Sequence, residues 1–101
     1  MNWYIYHICM VGSYSPSREN AWEENIRIYM GGSEKEALER AREDALADEV
    51  SYQTADDFEL SWRVNSIRLV KEVASDSLDG QEIFSRSLLD AEARSLLNKI
   101  E

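Results

Sequence analysis

From Trp3 to Val11 the chain is aromatic and β-branched, the composition of a pleated strand. Trp3, Ile5, His7, Cys9 and Val11 share one face, and Tyr4, Tyr6, Ile8 and Met10 the other. Both faces are rather apolar. That pattern predicts a central strand covered on both sides, or one whose second face serves association. Gly12-Ser13-Tyr14-Ser15-Pro16-Ser17 reads as a turn-rich loop. Alternation resumes over 22–30, with Trp22, Glu24, Ile26, Ile28 and Met30 set against Glu23, Asn25, Arg27 and Tyr29, so the two strands form a long hairpin. Gly31-Gly32 ends it, and Ser33-Glu34-Lys35-Glu36 has the pattern of a capping box. The stripe Ala37, Leu38, Ala41, Ala45 and Leu46 predicts a helix running to about Glu49, and its alanines imply close packing on the sheet.

Residues 51–57 are polar and read as a loop. Phe58, Leu60, Trp62 and Val64 then alternate in phase, but Ile67, Leu69 and Val73 fall on the opposite parity. A β-bulge near Asn65-Ser66 restores one face, and two strands with a short break explain the pattern equally well. Ala74 to Gly80 is a turn. A strand then follows, placing Glu82, Phe84, Arg86 and Leu88 on one face and Ile83, Ser85 and Ser87 on the other. Leu89, Ala93, Leu96, Leu97 and Ile100 predict a C-terminal helix. The order is β-β-α-β-β-α in a single α+β domain over 1–101. Such short connections favour a four-stranded, largely antiparallel sheet with both helices packed on it.

Composition narrows the class without naming an activity. Hydrophobic residues make up 44% and charged residues 31% of the chain, enough for a core and a solvated surface. No apolar run approaches the roughly 20 residues of a membrane span, and the start lacks the basic segment of a secretory signal. The lone Cys9 excludes an internal disulfide and reads as a small buried apolar residue, in keeping with a reducing, cytoplasmic location. A net charge of −9 argues against nucleic-acid binding through phosphates. The charge is local: Glu34 to Glu59 holds ten acids and three bases. Glu36, Glu39, Glu43, Asp44, Asp48 and Glu49 therefore form a candidate acidic patch, either a solvated helix face or a surface that steers a basic partner.

Chemistry is sparse. His7 and Cys9 share a strand face, but two ligands do not close a metal site and no third group completes a nucleophilic pair. His7 reads as a core or sheet-face residue. Glu34 and Glu36 would repel an anion from the helix start that follows Gly31-Gly32. No cofactor or metal is expected, and no enzyme. Trp3, Trp22 and Trp62 lie on three different strands, as core anchors or as a platform joined by Tyr4, Tyr6 and Tyr29. Glu82 and Arg86 beside Phe84 and Leu88 imply a partly buried ion pair, an exposed edge pair, or a pair facing a ligand.

Trp3-Tyr4, Trp22-Glu23-Glu24-Asn25, Glu36-Ala37, Trp62 and the run Gly80-Gln81-Glu82-Ile83-Phe84-Ser85-Arg86 form an ordered set. In these residues the chain resembles the small bacterial family catalogued as domain of unknown function 4288. The resemblance implies a compact bacterial α+β domain, supplies no activity, and draws attention to Trp3, Trp22, Glu82, Ser85 and Arg86.

Two functions suit these features. The first is a non-enzymatic acidic interaction protein, an inhibitor or immunity-type partner that masks a basic protein surface. The alternative is a small-ligand-binding or sensory domain whose aromatic pocket uses Glu82 and Arg86. Trp3, Tyr4, Tyr6, Trp22, Glu82, Ser85 and Arg86 are the candidate contacts, and a homodimer through the Tyr4/Tyr6 face is compatible with either.

Overall fold

The computed structural model describes residues 1–85 and 87–100, and for 97–100 the backbone alone. Its elements are β1 (Asn2–Ser15), β2 (Ala21–Gly31), α1 (Glu34–Ala47), β3 (Val50–Gln53), β4 (Glu59–Ala74) and α2 (Asp90–Ile100). The strands form one antiparallel sheet in the order β2-β1-β4-β3. The expected order β-β-α-β-β-α is therefore present, although two segments fill it differently.

β1 is the central strand, and α1 covers one of its faces. Tyr4, Tyr6, Ile8 and Met10 are buried there with Tyr29 of β2, beneath Ala37, Ala41 and Ala45 of α1. Those three alanines are fully buried, so the helix backbone lies close to the sheet. Leu46, expected in the same stripe, is exposed. Ser33 caps α1 by accepting from the Glu36 N–H at 3.2 Å, and the Glu36 carboxylate accepts in return from the Gly32 N–H. Gly12 continues β1 through the predicted loop because the partner strand passes close above it. A Cβ there would sit 2.9 Å from Leu60 Cδ1.

β4 is longer than its partner β1 and carries two surplus residues. Cys9 pairs with Ser66 and Met10 with Val64, leaving Asn65 as a bulge; Ile5 pairs with Lys71 and Tyr6 with Leu69, leaving Val70 as another. The first lies where the change of parity predicts it, and it returns Ile67 to the α1 side with Trp62 and Val64. The second has no counterpart in the sequence pattern.

Three expectations need correction. Val50–Gln53 is a strand that overlaps the predicted 51–57 loop; all four residues are exposed, so no alternation of burial marks them. They are held by pairing with Glu59–Trp62 and by a Ser51 Oγ–Ser61 Oγ contact of 2.7 Å. Residues 81–85 and 87–89 form no strand. The chain crosses over the sheet at His7 instead of lying along an edge, so it has no ladder to join. The Glu82–Arg86 pair lies outside the described residues. Finally, α2 touches no other helix or strand among the described residues, and Leu89 and Leu96 of its stripe are exposed. Leu97 and Ile100 lie outside the described side chains. The radius of gyration, 16.9 Å, exceeds the about 13 Å of a compact chain this long, in keeping with a helix that stands clear.

Candidate functional site

The face of the sheet opposite α1 carries Trp3, Ile5, His7, Cys9 and Val11 from β1, and Trp22, Glu24, Ile26, Ile28 and Met30 from β2. Ile5 is fully buried there, and Cys9 is half-buried, more open than expected. Register brings the polar members together. Glu24 sits opposite Cys9, one step along from His7, while Arg68 of β4 sits opposite His7 from the other side. His7 Nε2 and Glu24 Oε2 are 2.9 Å apart. An ionised carboxylate only accepts, so Nε2 is the donor. Nδ1 is buried and has no hydrogen-bond partner among the described residues.

Above this group runs the strap, residues 82–85. Lys71 Nζ donates to the Glu82 carbonyl at 2.9 Å, and Phe84 lies nearly parallel to His7, at 7° and 6.0 Å between ring centroids. The strap follows Gly80, whose φ of 74° suits glycine. Strap and sheet enclose a cleft of about 400 Å³ lined by His7, Glu24, Arg68, Leu69, Val70, Phe84 and Ser85. A smaller hollow of about 140 Å³, lined in part by Lys71, Glu82 and Ile83, shares its Phe84 and Ser85 wall. The Val70 bulge places a residue outside the ladder at this wall. Arg68 has no hydrogen bond or ion pair among the described residues, so its guanidinium is available to an anion.

The sequence-predicted contacts separate. Ser85 lines the cleft, and Glu82 is exposed beside it, engaged through its carbonyl. Arg86 lies outside the described residues. Trp3 is half-buried on the cleft side but is not part of its wall; Trp22, 59% exposed, lies opposite Val11 toward the far end of the hairpin. Tyr4 and Tyr6 are buried under α1, so neither forms an association face. Alternation could separate the two faces of β1 but could not say which one the helix covers. The Tyr4 hydroxyl is pushed up to about 12, first by its hydrogen bond with Glu72, whose carboxyl is lowered by the same bond.

The acidic patch is largely occupied within the fold. Glu36 bonds the Gly32 N–H, Asp44 accepts from the Tyr29 hydroxyl at 2.7 Å, Asp48 pairs with Arg27, and Glu49 accepts from the Val64 N–H at 3.0 Å. That leaves Glu39 and Glu43 without a hydrogen-bond or ion-pair partner among the described residues. The Asp48 carboxylate raises the Arg27 guanidinium further. Glu24 and Arg68 were missed because each is one charge in an alternating strand. The signal lay in the hairpin register, which sets Glu24 beside the single histidine.

The family described as domain of unknown function (DUF4288) matches residues 3–85. The chain belongs to the DUF4288 family. Its DUF4288 segment runs from the start of β1 through Ser85, so it contains the sheet, α1, the strap and every lining residue of the cleft, and leaves α2 beyond. No curated protein and no solved structure matches the chain. Among the described residues of this DUF4288 chain, no three His, Cys, Asp or Glu side chains are grouped to hold a metal ion, and no helix is long and apolar enough to cross a membrane.

Proposed function

We propose that this chain is a non-enzymatic binding protein that takes a small anionic ligand in the cleft beneath the strap. The observation that carries this reading is the convergence of Arg68, a guanidinium without a partner among the described residues, with an aromatic wall, Phe84, and the polar His7–Glu24 pair and Ser85, around about 400 Å³. Ligand sites combine an apolar wall with a few placed polar groups in a volume of this order. Arg68 suits a carboxylate or phosphate, Phe84 an apolar or planar body, and Ser85 and Glu24 the remaining polar groups. The acidic-partner reading draws on less, because four of the six carboxylates of the acidic patch are engaged within the fold.

The test is a titration of the protein with small carboxylates and phosphates, followed by amide chemical shifts. Binding is expected to move the signals of His7, Glu24, Arg68 and Ser85. A charge-assisted hydrogen bond contributes about 1.5–3 kcal/mol, so Arg68→Ala should weaken binding about tenfold or more. Shifts confined to α1, or equal affinity in Arg68→Ala and Phe84→Ala, reject the site.

A further inference from the structure

The two edges of the sheet are not equivalent. β3 is an edge of four residues, short enough to protect itself. β2, the other edge, has eleven residues, all paired to β1 in unbroken register from Ala21 to Gly31 with no bulge and no proline. A long, regular edge beside exposed apolar side chains is a template for another strand. Trp22, Ile26 and Ile28 supply those side chains, at 59%, 39% and 43% exposure.

The direction of the free backbone groups follows from Arg40. This side chain reaches from α1 past the Tyr29 ring, 5.3 Å from its centroid, and its Nη1 donates to the Met30 carbonyl at 2.7 Å. The Met30 carbonyl therefore points away from β1. Backbone groups alternate along an antiparallel ladder, so Ile28, Ile26, Glu24 and Trp22 also point theirs outward.

We infer that β2 pairs antiparallel with β2 of a second copy, joining two sheets into one across a two-fold axis at Asn25. Trp22 then lies opposite Ile28 of the second copy and Glu24 opposite Ile26, each pairing occurring twice by symmetry. The neighbouring registers are worse. A shift of two residues one way brings in Met30, whose carbonyl Arg40 occupies; a shift the other way sets Glu24 against Glu24. In the inferred register, Glu23 faces Arg27 of the second copy on the α1 side, and the exposed Trp22 and Ile28 cover one another on the cleft side. This surface is separate from the buried Tyr4/Tyr6 face, and its formation does not depend on a ligand in the cleft.

The test combines sedimentation equilibrium over a wide concentration range with hydrogen exchange. A dimer is expected, with the amides of Trp22, Glu24, Ile26 and Ile28 protected at high concentration and released on dilution. Ile28→Lys and Glu23→Arg should each raise the dimer dissociation constant at least tenfold while leaving the circular dichroism spectrum unchanged. In a Cys9→Ser background, Asn25→Cys should oxidise to a covalent dimer, because non-hydrogen-bonded partners place their Cα atoms about 4.5 Å apart, within disulfide reach. A monomer at every concentration with those amides unprotected overturns the inference. So does a dimer that keeps its affinity in Ile28→Lys and protects β3 or α2 instead.

Discussion

Replacing Gly12 by alanine sets two effects against each other. The glycine has no positive φ, so alanine meets no backbone strain, and the loss of unfolded-state freedom should stabilise by about 0.4–1 kcal/mol. Against this, the new Cβ would lie 2.9 Å from Leu60 Cδ1 and 3.2 Å from two atoms of the Trp62 ring. Neither neighbour retreats easily. Leu60 is buried, and the Trp62 ring is tied through its Nε1–H to the Tyr52 hydroxyl at 3.1 Å. Overpacking of this kind costs about 1–3 kcal/mol, so Gly12→Ala should be net destabilising by about 1 kcal/mol. Urea unfolding followed by circular dichroism should show a lower midpoint with the slope unchanged, and the melting temperature should fall by about 4–8 °C. Leu60→Val removes the atom in closest contact, so in that background the cost of Gly12→Ala should shrink by about 0.5 kcal/mol or more. A midpoint at or above wild type, or strict additivity with Leu60→Val, would refute the close approach of β4 over Gly12.

The remaining predictions are independent of that contact. Ser33→Ala removes the acceptor for the Glu36 N–H and should lower stability by about 1 kcal/mol, while Ser33→Asp restores it; the urea midpoint reports both. Tyr4 is raised to about 12 by its bond with Glu72, and Tyr6 and Tyr29 are raised first by burial. A raised phenol favours the neutral form in the folded state, so the stability it confers is complete below the unfolded value of about 10 and is lost as pH rises through the folded value. Tyrosinate absorbance and circular dichroism should therefore change together between about pH 10 and 12, and Tyr4→Phe should remove the Tyr4 component. Truncation before Asp90 should change the urea midpoint by no more than the equivalent of about 0.5 kcal/mol, with solution scattering falling from the present 16.9 Å toward about 13 Å.

Where side-chain burial follows a period, the fold was legible. The hairpin and α1 show it, and of the two readings that the parity change between Val64 and Ile67 allowed, the bulge is the one present, at Asn65. Elements held by backbone pairing alone were not legible: Val50–Gln53 is wholly exposed, so its order comes from Leu60 and its neighbours. The 82–88 alternation was real in pattern but empty in consequence, because a strand needs a free edge and residues 82–85 pass over the sheet. Of the site, Ser85 was legible through the family run, whereas Glu24 and Arg68 depend on which residues stand beside His7. That is a property of register, which no single strand displays.

The surplus residues of β4 give the domain a way to change length. Removing Asn65 leaves Val64 opposite Met10 and Ser66 opposite Cys9, so every side chain keeps its side and only the kink is lost. Val70 offers the same freedom at the edge of the cleft. The β1–β2 ladder has no such slack, since a deletion within its unbroken register inverts everything beyond it. Natural insertions and deletions in this fold should therefore collect at these two points of β4, and at Val70 they reshape the cleft wall without inverting the ladder.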